Sequence, residues 1–213
     1  VYKYQEKQKI PEDSFLDPIS PYGNTKLCIE KILGDVFRSS DDIWRIASLR
    51  YFNPVGAHDS GLIGEDPLIN TSNIFPKLMK VINNETNELL IYGSDWPTID
   101  GTCVRDYIHI MDLASAHSAV LYYLQENKPQ YIHLNIGSGK GVTVLELIKT
   151  FSKVNKCKIP FKFSERRNGD YPYLVADNSL ALKLINWKPK KNLEDICTDT
   201  WKWLNYHKKS KAL

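Results

Sequence analysis

The chain has 213 residues, 42% of them hydrophobic and 25% charged, with a formal net charge of +3; this is an ordinary globular composition, long enough for one large domain or two small ones. The charge is too small to argue for nucleic acid as a partner, and no apolar run approaches the length of a membrane span. The cysteines at 28, 103, 157 and 197 are widely spaced and form no CxxC pair, so they read as thiols in a reducing compartment and a cytoplasmic location is expected.

Up to residue 19 the chain is polar and punctuated by Pro11 and Pro18, a loop leading into a helix that starts near Ser20-Pro21-Tyr22. Ile29, Ile32, Leu33, Val36 and Phe37 follow at helical spacing, and Tyr22 and Lys26 project onto the side of Ile29 and Leu33, the side expected to be buried. Trp44 to Phe52 reads as a strand, and 53–68, rich in glycine and proline, as mostly loop. A helix capped by Thr71 or Ser72 carries Ile74, Phe75, Leu78, Met79 and Ile82 on one face, with Pro76 tolerated in its first turn. Strands are expected at Leu89–Tyr92, Val104–Ile110, Tyr131–Ile136 and Ile159–Phe163. Helices are expected from Asp112 as cap to about Leu124, from Val144 to about Val154 with Thr143 and Glu146 as a capping box, over Ser179–Ile185 and over Leu193–Leu204. Alternating strands and helices without internal repeats define an α/β protein.

Tyr22 and Lys26 are the first chemical candidates. An ammonium near a phenol favours phenolate and makes a usable base; the alternative is a snorkelling lysine beside a half-buried tyrosine. Gly137-Ser138-Gly139-Lys140-Gly141 matches neither the Rossmann nor the P-loop spacing and reads as a tight strand-to-helix turn. His109, His117 and His133 fall on separate elements without ligand spacing, so no metal is expected. Arg105 is suited to clamping a phosphate, with a surface pair to Asp106 as the alternative. Arg166-Arg167-Asn168-Gly169-Asp170 forms a second basic loop. Two arginine loops and a Tyr–Lys pair point to an anionic small molecule rather than a polymer.

Tyr22-Gly23-Asn24-Thr25-Lys26 resembles the Tyr-x-x-x-Lys pair of the extended short-chain dehydrogenase/reductase family. The stretches Leu49–His58, Gly64–Pro67, Asp100–His109, Arg166–Asp170 and Leu184–Trp187, in that order, resemble the UDP-glucose 4-epimerase branch of it. The resemblance implies the C-terminal part of a doubly wound Rossmann-type sheet plus a smaller α/β substrate domain. Residues 1–58 would belong to the NAD-binding domain and 59–213 mainly to the UDP-sugar domain, with some segments returning to the first. It implies NAD as cofactor, held by Tyr22, Lys26 and Tyr51, with Tyr22 and Lys26 catalytic in C4 epimerisation of a UDP-hexose through a 4-keto intermediate. Asn53, Asn73, Arg105, Arg167 and Asp170 would hold the nucleotide sugar, the arginines facing the diphosphate and Asp170 the ribose. Backbone groups near Leu90 and Tyr92 would line the uracil, and Leu174 would set pocket size, favouring UDP-glucose and UDP-galactose over N-acetylhexosamines. A homodimer is implied when the enzyme is full length. The family's glycine-rich loop and catalytic serine belong upstream of Val1, so the piece alone is expected to be inactive. UDP-pentose 4-epimerisation and a non-catalytic sugar-nucleotide-binding module are the competing readings; a dehydratase is disfavoured because Pro21, not an acid, precedes the tyrosine.

Overall fold

The computed structural model describes residues 9–66 and 73–211, with side chains described through Tyr206. In chain order the elements are α1 (Pro21–Ser39), β1 (Arg45–Tyr51), β2 (Asn53–Val55), α2 (Ile74–Ile82), β3 (Leu89–Tyr92), β4 (Val104–Arg105) and β5 (Tyr107–His109). There follow α3 (Ile110–Glu126), β6 (Gln130–Ile136), β7 (Val142–Thr143), α4 (Val144–Asn155), β8 (Phe161–Ser164), β9 (Tyr173–Leu174), α5 (Ser179–Ile185) and α6 (Leu193–Lys211).

Parallel pairing dominates. β1 runs beside β6 with Arg45 opposite Gln130 and Tyr51 opposite Ile136, β2 beside β5, and β3 beside β8. β4 is flanked by β7, antiparallel, and β9, parallel. Parallel strands need crossovers, which the helices supply. Two apolar cores result. One joins Leu134 and Ile136 of β6 to Leu113, Ala116 and Val120 of α3 and to Ala181 and Trp187, with Ala47 and Leu49 of β1 packed against it. The other joins Phe75, Leu78 and Val81 of α2 to Leu89 and Ile91 of β3, to Leu147 and Phe151 of α4, and to Ile196 and Cys197 of α6. Burial there pushes the Cys197 thiol up to about 12, as expected of an inert structural cysteine.

Several expectations are corrected. Within the stretch read as loop, Asn53–Val55 forms β2, and Pro54 is tolerated because this short strand pairs on one side only. The strand expected over Val104–Ile110 breaks at Asp106, whose carboxylate turns inward to other partners. The cap of α3 is His109, whose Nδ1 accepts from the Met111 N–H at 3.0 Å. Asp112 is buried in the first turn, where its carboxylate accepts the N–H groups of Lys190 and Lys191 at 2.9–3.1 Å and ties the approach of α6 to α3. The helix read as ending at Leu204 continues to Lys211. α2 begins after Asn73, and the expected caps Thr71 and Ser72 lie outside the described residues. Thr143 caps α4 as its sequence suggests, accepting from the Glu146 N–H at 3.0 Å.

The glycine turn after β6 is a tight connection, and it encloses an anion of the protein's own. Ser138 N and Oγ (both 2.6 Å), Gly139 N (3.0 Å) and Ala176 N (3.1 Å) all donate to the Asp106 carboxylate. Gly139 holds φ +69°, and a Cβ at Gly137 would come within 2.6 Å of Asp106 Oδ2. Only glycine permits this approach at 137. Asp106 is therefore no surface partner of Arg105: it is fully buried, and burial pushes its carboxyl above the usual range against the pull of the four donors.

Candidate active site

A cleft of about 560 Å³ opens where β2, α2, β3, β4 and the turn at 167–170 converge. β2 brings Asn53, the N-cap of α2 brings Asn73, β3 brings Leu90 and Tyr92, β4 brings Arg105, the turn brings Arg167 and Asp170, and the first turn of α1 brings Tyr22. These are eight of the candidates named from the sequence. Asn53 is fixed by its N–H, which donates to the Asp106 carbonyl at 3.0 Å. The buried Asp106 thus holds the strand ends on which Asn53 and Arg105 stand.

The arginines are preorganised by one carboxylate. Arg105 Nη2 lies 3.3 Å from Asp170 Oδ1, and Arg105 Nη1 donates to the Tyr171 carbonyl at 2.6 Å. Arg167 approaches the same carboxylate with Nε 3.2 Å from Oδ2 and Nη2 3.0 Å from Oδ1. Asp170 therefore bridges two guanidiniums, and this hydrogen bonding raises the Arg167 pKa. Arg166 turns away from the cleft, stacking 4.1 Å over Trp96 and pairing with Asp95. Burial pushes the Tyr107 phenol and the Cys103 thiol, both in the lining, above their usual ranges. Neither is a base.

Three candidates are not brought into the lining. Lys26 is one turn along α1 from Tyr22, with its Nζ 5.3 Å from the Tyr22 ring centroid. The Tyr51 hydroxyl is bonded to His117 Nε2 at 2.7 Å. Leu174 lies on β9 opposite Arg105 in register.

The orientation of α1 corrects the sequence reading. Tyr22 is 72% exposed, and Ile29 and Ile32 are exposed with it, as is Lys26. Of the apolar stripe, Phe37 meets Tyr131 of β6, while Ile29 and Ile32 stay exposed. The face laid on β1 and β6 carries Gly34, Glu30 and Phe37, with Gly34 and Glu30 about 100° or more around the helix from Ile29 and Ile32 at 3.6 residues per turn, while Gly23 is covered by Pro18 and Ser20. Glu30 forms a two-bond fork with Arg50 of β1, at 2.9 and 2.7 Å. The Tyr131 hydroxyl of β6 donates to the Glu30 carbonyl at 2.9 Å, and Phe37 packs on the Tyr131 ring. A charge-assisted bidentate pair with both side chains almost covered anchors that face, together with the Tyr131 contacts.

Lining residues missed from the sequence include Glu65, Lys77 and Tyr107. Lys77 was within reach of helix spacing, since it follows Asn73 by four residues.

The fold is that of a doubly wound α/β protein, and its cleft presents two guanidiniums held by one carboxylate. The chain belongs to the family whose model is described as GDP-mannose 4,6 dehydratase, which matches residues 1–200. It is 42% identical over 203 residues to a UDP-glucose 4-epimerase of Bacillus subtilis (strain 168), covering 95% of this chain and 59% of that protein. It is 43% identical over 206 residues to a bifunctional UDP-glucose 4-epimerase and UDP-xylose 4-epimerase of Arabidopsis thaliana, covering 96% and 58%. Among solved structures, a Stenotrophomonas maltophila UDP-glucose 4-epimerase with bound NAD and formylated UDP-arabinopyranose superposes with a TM-score of 0.92 at 43% identity, covering 97% of this chain and 61% of that one. The Bifidobacterium longum enzyme in complex with NAD+ and UDP gives 0.89 at 40% identity, covering 95% and 60%. The chain thus spans a little under three fifths of the length of the curated relatives it matches.

Proposed function

We propose that the chain carries the sugar-nucleotide site and the proton-transfer residues of an NAD-dependent UDP-hexose 4-epimerase, acting on UDP-glucose and UDP-galactose. The observation that carries this reading is the position of Tyr22: its side chain lines the same cleft as Asn53, Asn73 and the Arg105–Asp170–Arg167 bridge, with the Lys26 ammonium beside its ring. The two guanidiniums suit a diphosphate, and a sugar extending from it along the cleft would meet the Tyr22 side of the lining.

In this reading the Tyr22 oxygen takes the proton of the sugar 4-hydroxyl and, once the 4-keto sugar has turned its opposite face to the cofactor, returns it to the 4-keto oxygen as hydride returns to C4. Arg105 and Arg167 hold the diphosphate while the sugar turns, and Asn53 and Asn73 orient it. Tyr22 and Lys26, exposed together on one side of α1, offer a phenol and an ammonium suited to the ribose of NAD, and they would hold it. NAD when bound supplies the hydride acceptor. Tyr51 is engaged by His117 and is assigned no contact with it. Residues 1–58 form part of the cofactor domain and 59–213 mainly the sugar domain. Segments of α3, β6 and α5 return to the first, as the packing of Ala47 and Leu49 against their core supports. The working enzyme is a cytoplasmic homodimer in galactose metabolism.

Because the chain spans under three fifths of its relatives, the 213-residue chain alone binds UDP-sugars without interconverting them. Two assays test this: calorimetry of the chain with UDP, and conversion of UDP-galactose by the complete enzyme with NAD. Absence of UDP binding, or robust turnover by the chain alone, overturns the corresponding half. A second reading, UDP-pentose 4-epimerisation, is favoured by the bifunctional relative; rates on UDP-xylose and UDP-glucose separate the two.

A further inference from the structure

The sugar-nucleotide reading gives the cleft two arginines, yet a third cation lines it. Lys77 stands one turn after Asn73, and the four-residue spacing puts both on one helix face. Its ammonium lies 5.1 Å from the centroid of the Tyr92 ring, and the Arg167 guanidinium lies 5.4 Å from the same ring. Lys77 therefore reaches the aromatic that Arg167 touches, from the other wall of the cleft.

Charge balance separates the three cations. Arg105 and Arg167 share Asp170. Lys77 forms no ion pair among the described residues and rests only on the Tyr92 π face. Among the described residues, the charged ones lining the cleft are Lys77, Arg105 and Arg167 against Glu65 and Asp170. Without Lys77 these charges cancel; with it the lining carries one net positive charge. An ammonium on a flexible four-carbon stem is a mobile point charge, unlike a guanidinium locked in a carboxylate fork.

We propose that Lys77 is a diphosphate-binding residue of this cleft, its ammonium moving from the Tyr92 ring onto a phosphate oxygen when a nucleoside diphosphate enters. The inference rests on the sugar-nucleotide reading above and adds to it the residue that gives the cleft its net attraction for an anion. It predicts an asymmetry between ligands with and without phosphate.

The test is calorimetry of the 213-residue chain and its Lys77→Met, Lys77→Gln and Lys77→Arg variants, with UDP and with uridine as probes. Lys77→Met and Lys77→Gln each weaken UDP binding about tenfold, the scale of a lost charge-assisted hydrogen bond, and leave uridine binding unchanged. Lys77→Arg retains UDP binding. Raising the salt concentration weakens UDP binding more in the unsubstituted chain than in the Met variant. UDP affinity in the Met and Gln variants equal to that of the unsubstituted chain overturns the inference, as does a parallel loss for uridine, which would place Lys77 on the base. Failure of the unsubstituted chain to bind UDP overturns the cleft reading itself, a result distinguishable from the other two.

Discussion

Nε2 of His109 lies 3.2 Å from Oδ2 of Asp199 in the protein interior. Because His109 Nδ1 accepts the Met111 N–H, the ring proton resides on Nε2 and is donated to Asp199. The same carboxylate takes Lys191 at 3.1 Å and Lys202 at 3.2 Å, binding α6 to the β5–α3 junction. Burial holds His109 below its ordinary range, against the pull of Asp199 and with a further push from Lys191. Burial would raise Asp199, but the two lysines outweigh it and lower it.

This cluster sets a pH dependence. With its folded pKa depressed below the reference value of 6.5, His109 binds fewer protons folded than unfolded between those two values. Its contribution to stability is complete above 6.5 and is lost as pH falls toward the folded value. Thermal unfolding should show stability falling as the pH is lowered from above 6.5. His133, held low by burial and by Arg50, titrates in the same direction, so the difference between the unsubstituted chain and His109→Gln isolates His109. A difference curve flat with pH refutes the assignment.

Asp106→Asn places an amide N–H₂ against a ring of N–H and O–H donors from Ser138, Gly139 and Ala176. Urea unfolding should register a loss of about 3 kcal/mol, the cost of orphaned buried donors. An unchanged midpoint would mean that the glycine turn holds its shape without this acceptor.

Tyr22→Phe in the complete enzyme should lower turnover about 100- to 10,000-fold, the range for removing a proton-transfer group, with UDP affinity unchanged. Phenylalanine preserves the ring over which Lys26 lies. Retention of turnover would transfer the proton chemistry to another group.

Asp170→Asn discriminates between two roles for a carboxylate in an anion site. If Asp170 orients Arg105 and Arg167, UDP binding weakens about tenfold as the forks loosen. If its charge merely opposes the phosphates, binding tightens. Titration with UDP decides, and the bidentate contact to Arg167 favours weakening.

What the sequence made legible were the elements with long, self-consistent patterns. β6 carries Leu134 and Ile136 to the core, and Thr143 caps α4 as its spacing indicates. Strands of two or three residues, such as β2, β7 and β9, have no pattern of their own and exist through their partners. The choice of His109 over Asp112 as cap was hidden because both residue types can accept from a backbone N–H, and the competing donors at 190 and 191 are distant in sequence. The eight lining candidates come from separate segments that no periodicity relates; the ordered motifs of the family, not local physics, pointed to them. The exposure of Tyr22 was illegible for a further reason: the inner face of α1 is held by Arg50 and Tyr131, 20 and 101 residues beyond Glu30.

The Glu30–Arg50 fork also acts as a rotational latch. Besides that pair, α1 meets the sheet at Tyr131, whose ring lies beside Gly34 and Phe37 and whose hydroxyl bonds the Glu30 carbonyl, so Arg50 and Tyr131 together resist rotation of the helix about its own axis. A roll of about 10° displaces a side-chain tip at the 5–6 Å outer radius of a helix by roughly 1 Å, the scale on which reacting groups lose alignment. The angular setting of the Tyr22 oxygen over the cleft is thus geared to a salt bridge two turns further along the same helix.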